Sequence, residues 1–172
     1  TFSGQPERLF SSMFFHFGWM HLLFNMWALY LFGSIAEQML GRFYFLGMYL
    51  LAGLMGSLFS GYINIQDTIT LLNATTFDPI LLPRVSAGAS GAVMGLGAAL
   101  TMLSLLPVLP HQLFILDKKT LVITLGINLA IGFSVSGINN AAHIGGMMMG
   151  AYLALVWYAA QRWQKPVLSY VL

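Results

Sequence analysis

Two side chains able to act as nucleophile and base stand at the starts of two apolar stretches. Ser90 lies in Ser86-Ala-Gly-Ala-Ser-Gly-Ala-Val-Met-Gly95, between Gly88 and Gly91 and ahead of a helix-compatible run. A helix start offers unpaired N–H groups and a partial positive charge, which suit an oxyanion forming on an attacked carbonyl. A serine after a glycine turn is also an ordinary helix cap, so the position alone does not decide the matter. Position 92 is alanine, which excludes the Gly-x-Ser-x-Gly elbow of soluble hydrolases. His143 opens the last apolar stretch, in Asn139-Asn-Ala-Ala-His-Ile-Gly-Gly146. An ionisable residue inside such a stretch is costly to bury and points to function, unless it lies close enough to the interface to stay hydrated. A serine hydroxyl needs an adjacent base to become a nucleophile, and His143 is the base at the matching depth.

A third group lies near the start of the chain. His21 and Asn25 are four residues apart and so share one helical face. Both can donate hydrogen bonds to a developing oxyanion, or act as polar glue between helices. His16 and His21, five apart, point about 140° away from each other on a helix. That geometry is poor for one metal, there is no cysteine, and His-Glu-x-x-His is absent, so no metal site or cofactor is expected.

The elements that would position these residues follow from composition. Of 172 residues, 58% are hydrophobic and 7% charged, and the mean hydropathy is +0.79. A soluble domain carries about 25% charged residues, so the expected surroundings are a lipid bilayer. Five stretches approach the roughly 20 apolar residues a spanning helix needs. They run from His21 to Met39, Phe43 to Tyr62, Ser90 to just before Pro107, Thr120 to Ile138 and Ala142 to Gln161. Their length selects helix over strand. The expected fold is an all-α polytopic membrane helix bundle of about five transmembrane helices, forming a single domain over 1–172.

Orientation follows from the loops. Arg42, Lys118, Lys119, Arg162 and Lys165 share one side, while the other holds Arg8 and Arg84. Positive charge marks the cytoplasmic side, so the N-terminus, a polar Ile63–Val85 loop and the Asn139-Asn140 turn face outward. The first, third and fifth spans then run in parallel, with Ser90, His143 and the His21 group at the same end. Gly91, Gly95 and Ala99 recur at four-residue spacing, as do Gly146, Gly150 and Ala154. Such faces let helix backbones approach closely. If the two meet, Ser90 and His143 stand at one level. Glu37 is expected to anchor its helix end by pairing with Arg42. His111 has no evident partner. A net charge of +2 without any basic run excludes a nucleic-acid partner, and the N-terminal residues do not form a signal peptide.

In order along the chain, His16-x4-His21-x3-Asn25, Gly88-Ala-Ser90-Gly91 and Ala142-His143-Ile-Gly-Gly-x3-Gly150 resemble the signatures of the rhomboid family of intramembrane serine proteases. Gly33-x3-Glu37-x3-Gly41 is similar to another family pattern. The resemblance, of bacterial type, implies a serine endopeptidase with a Ser90–His143 dyad and no third acid. It implies that His21 and Asn25 join the Ser90 N–H in the oxyanion hole, while His16 and Gly88 support the cavity. Its substrates would be membrane proteins, cut within or beside their membrane segments. The expected location is the bacterial inner membrane, multi-pass, with the site open to the outer side. The expected departures from the family are a first helix with no counterpart among the five stretches, Met94 where members have a tyrosine beside the histidine, Glu7, and the length of the Ile63–Val85 loop. A catalytically dead binding relative, which would lose the serine or histidine, and a small transporter are the competing functions. Oligomeric state is not legible.

Overall fold

A computed structural model describes residues 7–74, 76, 78, 87–109, 112, 115–135 and 138–163. His111, Arg84, Lys165 and most of the loop beyond Ala74 lie outside the described residues. Within them, every regular element is a helix. A short helix α1, Glu7–Ser11, leads through a 3-10 turn, Ser12–Phe14, to α2, Trp19–Ala28. A π turn, Leu29–Gly33, joins α2 to α3, Ser34–Leu40, so that one continuous rod occupies the first expected span. The longer helices α4, Arg42–Asn73, α5, Ser90–Leu105, α6, Lys118–Ser134, and α7, Asn140–Arg162, occupy the other four. Trp19–Leu40 and Arg42–Asn73 are long and apolar enough to cross a membrane by length and composition.

The π turn ends at a Gly33-Ser34 pair, a common place for a helix to change its winding. Gly33 leaves room there for the Phe45 ring, which a Cβ would meet at 3.4 Å. Gly41 then breaks the rod. Its φ of 85° lies where L side chains are strained, and its N–H closes the helix on Glu37 O at 2.9 Å. Arg42 Nε reaches Glu37 Oε1 at 3.5 Å across this corner, the pairing expected of Glu37. Both side chains are exposed, so the pair adds little stability.

The polar loop expected from Ile63 to Val85 starts later than the sequence reading placed it. Helix α4 continues to Asn73. No glycine or proline interrupts residues 62–73, and Thr68 and Thr70 return their hydroxyls to Asn64 O and Gln66 O, at 2.7 and 2.9 Å. At 1.5 Å per residue, 32 residues measure about 48 Å, more than the ~30 Å hydrocarbon core. The polar end of α4 therefore projects as helix. At its other end, α6 is capped by Asp117, whose carboxylate accepts from Thr120 Oγ1 at 2.6 Å and Lys119 N at 3.0 Å. These bonds hold its carboxyl below the usual range. α6 stops at Ser134, four residues short of the expected Ile138.

Helix α5 is the centre of the bundle. Gly91 through Leu100 are all buried, wrapped chiefly by α7 and α4, with α6 and the π turn completing the ring. These ten positions are rich in glycine and alanine, which is what brings neighbours close on every side. Large apolar side chains point outward instead: Trp19, Phe24, Trp27 and Tyr30 on the rod, and Ile123, Ile127, Ile131 and Phe133 on α6. So much exposed apolar surface suits lipid, not water. Inside, Tyr44 is buried and donates its hydroxyl to Leu153 O at 2.6 Å, joining α4 to α7. Tyr44→Phe should lower stability by about 1 kcal/mol, the net worth of one such bond. Thermal unfolding in detergent measures it, and an unchanged midpoint would show the bond to be energetically neutral.

Candidate active site

The glycine faces of α5 and α7 meet. A Cβ built on Gly146 would collide with Gly91 O, and one on Gly150 with Gly95 O. In return, a Cβ on Gly95 would lie 2.8 Å from Gly146 O, and one on Gly91 would lie 3.1 Å from Ala142 O. The backbones touch, with no side chain between them. Gly91 directly follows Ser90, and Ala142 directly precedes His143. The nucleophile and base candidates are thus chain neighbours of two residues in contact, at one level of the bundle. α4 completes the junction: a Cβ on its Gly56 would meet Ala142 O at 2.6 Å and Gly91 Cα at 3.5 Å.

Ser90 is the first residue of α5 and is partly buried. The turn before it depends on Gly88, whose φ of 122° strains any L side chain. Gly88 N–H donates to Ser12 O at 2.9 Å, tying this turn to the 3-10 segment. The N–H groups of the first turn of α5 have no acceptor within the helix. They are available to an oxyanion beside Ser90.

His143 sits in the first turn of α7 and is only 8% exposed. Its N–H donates to Asn139 O at 3.2 Å, and Asn139 Oδ1 caps the helix by accepting from Ala142 N at 3.0 Å. His143 Nδ1 is buried with no hydrogen-bond partner among the described residues. Met94 does not replace the family's tyrosine beside the ring by any polar contact. It packs with Ala98, Leu125, Leu129 and Met147, toward α6.

The α2 group faces the same turn. A Cβ on Gly88 would lie 2.7 Å from His21 Cε1 and 3.0 Å from His21 Nε2, so the imidazole lies against the segment that leads to Ser90. His21 Nδ1 accepts from Phe17 N–H at 3.3 Å, and its ring stacks on Phe17 with centroids 5.9 Å apart. With Nδ1 as acceptor, the neutral ring carries its proton on Nε2, the nitrogen beside Gly88. Asn25 is 6% exposed and spends one amide proton on His21 O at 2.8 Å, keeping a second. The His16 ring meets the edge of His21 at 5.2 Å, and its Nδ1 lies 3.3 Å from Phe14 O. His16 therefore packs against His21.

All six residues singled out in the sequence gather at this one end of the bundle. Three further contributors, Ser12, Phe17 and Asn139, carry no catalytic signature. Ser12 O accepts from Gly88 N and Phe17 N donates to His21 Nδ1, backbone bonds that leave no mark on residue type. Asn139 was read only as part of an outward-facing turn.

The fold and site together define a membrane-type helical bundle with a serine and a histidine on two touching helix ends. Comparison with known proteins agrees with that class. Residues 3–160 match the family described as the Rhomboid domain. The chain is 36% identical over 152 residues to Rhomboid protease GluP of Bacillus subtilis (strain 168), covering 88% of this chain and 26% of that protein. It is 32% identical over 166 residues to Rhomboid protease AarA of Providencia stuartii, covering 91% of this chain and 58% of that one. RHOMBOID-like protein 5 of Arabidopsis thaliana is 33% identical over 158 residues, 89% of this chain and 44% of its own length. The chain spans about a quarter and somewhat over half of the first two relatives. It belongs to the rhomboid family, and so to the integral membrane proteins.

Proposed function

We propose that residues 1–172 form one proteolytic domain, an intramembrane serine endopeptidase that uses Ser90 and His143 as a dyad. The observation that carries this reading is the backbone contact of α5 with α7, which leaves Ser90 and His143 flanking Gly91 and Ala142. GluP and AarA bear the name rhomboid protease, which supports the same activity here.

In this mechanism His143 Nε2 takes the Ser90 Oγ proton as the oxygen attacks a peptide carbonyl. The tetrahedral oxyanion is held by the Ser90 N–H, His21 Nε2–H and the second amide proton of Asn25. Collapse expels the amine, which receives the proton from His143. Water then attacks the acyl-Ser90 ester, with His143 again as base, and releases the carboxylate. Helix α5 is about 24 Å long at 1.5 Å per residue, shorter than the ~30 Å hydrocarbon core. A helix this short supports a Ser90 set below the membrane surface, and with it substrates that are membrane proteins cut within or beside their membrane segments. The charge asymmetry of the loops supports a cytoplasmic side for Arg42, Lys118 and Arg162 and a site open to the outer side. The resemblance to bacterial members supports an inner-membrane location.

Cleavage of a reconstituted membrane-spanning substrate, with the cut located by mass spectrometry, tests the activity. The oxyanion assignment has its own test. His21→Ala and Asn25→Ala should each lower kcat by about 10² to 10³-fold, with KM little changed. Ser90 should stay reactive toward a small fluorophosphonate in both. A rise in KM alone would make these residues ground-state binders and remove them from the oxyanion hole.

A further inference from the structure

Three polar side chains are buried among the described residues: Asn25, Ser60 and His143. The proposed chemistry uses the first and third and leaves Ser60, 2% exposed on α4, without a task. A buried hydroxyl needs a partner. Ser60 Oγ has one in Asn139 Nδ2, which donates to it across 79 residues of sequence. The other end of the same amide, Oδ1, caps α7 through Ala142 N, and Asn139 O accepts the N–H of His143. One side chain thus joins α4 to the turn that carries the base.

One turn away, Ser57 makes the matching connection. Its Oγ lies 3.2 Å from Ser12 Oγ. Ser12 spends its single hydroxyl proton on Leu9 O at 3.0 Å, so Ser57 is the donor of the pair. Ser12 O in turn accepts from Gly88 N at 2.9 Å, two residues before Ser90. Ser57 and Ser60, three apart, are neighbours on the helix surface. Gly56 beside them is where α4 touches both Gly91 and Ala142. With Met94 packed toward α6, these bonds fix the two reacting turns against a common support.

We propose that Ser57 and Ser60 are positioning residues: α4 holds the Ser90 turn, through Ser12, and the His143 turn, through Asn139, in register for proton transfer. The proposal rests on the protease reading and adds to it residues that touch neither substrate nor reacting atoms.

The test uses the full chain in detergent or liposomes, with one peptide substrate and a fluorophosphonate probe. Ser60→Ala removes the acceptor, and Asn139→Ser keeps a capping oxygen too short to reach Ser60. Each should lower kcat by about 10- to 100-fold, as a misplacement near 1 Å does, with KM within about two-fold. Labelling of Ser90 should slow in step. The double variant should be no worse than either single one, because both break the same bond. Ser57→Ala should lower kcat similarly, and Ser57→Thr, which keeps the hydroxyl at a partly exposed position, should restore it. Unchanged kcat in Ser60→Ala and Asn139→Ser, a rise in KM alone, or a loss that only follows the thermal midpoint would overturn the proposal. If the unmodified chain cleaves and labels but the variants match it, the tethers are wrong and the protease reading stands. If the unmodified chain does neither, that reading falls and takes the tethers with it.

Discussion

Ser90→Ala and His143→Ala should each abolish cleavage of a membrane-embedded substrate, and the double variant should be no worse than either. The expected loss is on the order of 10⁶-fold in kcat, the scale seen when one member of a nucleophile–base unit is removed. Neither half works alone. Without His143 the Ser90 hydroxyl keeps its proton, and without Ser90 the imidazole has no nucleophile to serve. Both residues sit at helix starts, where truncation to alanine leaves the glycine contacts of α5 and α7 untouched. Folding should therefore survive, and a normal thermal midpoint in each variant checks this. Activity within tenfold of the parent in either single variant would remove the dyad.

Gly146→Leu and Gly95→Leu should also lower the rate, by at least about 100-fold, although neither residue does chemistry. A side chain at 146 must enter the space of Gly91 O, and one at 95 must displace Ala52 and Gly146 O. These obstacles are backbone and a small core side chain, which cannot swing aside. The helices must separate, and a shift of about 1 Å at the reacting groups costs on the order of 100-fold in rate. Overpacking also costs about 1–3 kcal/mol of stability. Gly126→Leu on α6 is the control: a Cβ there meets nothing within 4 Å, so activity should be unchanged. If Gly146→Leu and Gly95→Leu retain activity, the close contact of α5 with α7 does not hold the dyad.

The helices were legible because apolar runs of such length select helix over strand. The touching faces were legible because only small residues at four-residue spacing permit them. The end of α4 was not: Asn64, Gln66, Asp67 and the threonines read as loop by polarity, yet nothing in 62–73 breaks a helix. Polarity reports the surroundings of a segment, whereas glycine and proline report its backbone. The π turn before Ser34 escaped notice because its residues, Leu29–Gly33, continue the apolar run without a break. At the site, Ser90, His143, His21 and Asn25 announced themselves as reactive types in an apolar chain. Ser60 did not. A serine in a membrane helix is unremarkable until its burial and its bond to Asn139 are seen.

The most direct measurement of the dyad is fluorophosphonate labelling, with the modified residue located by peptide mass spectrometry. The probe needs only an activated serine, so it does not depend on knowing the natural substrate. The account predicts one label, on Ser90, in the unmodified chain, and its loss in His143→Ala. Labelling at another serine, or labelling of Ser90 that persists undiminished without His143, would contradict it.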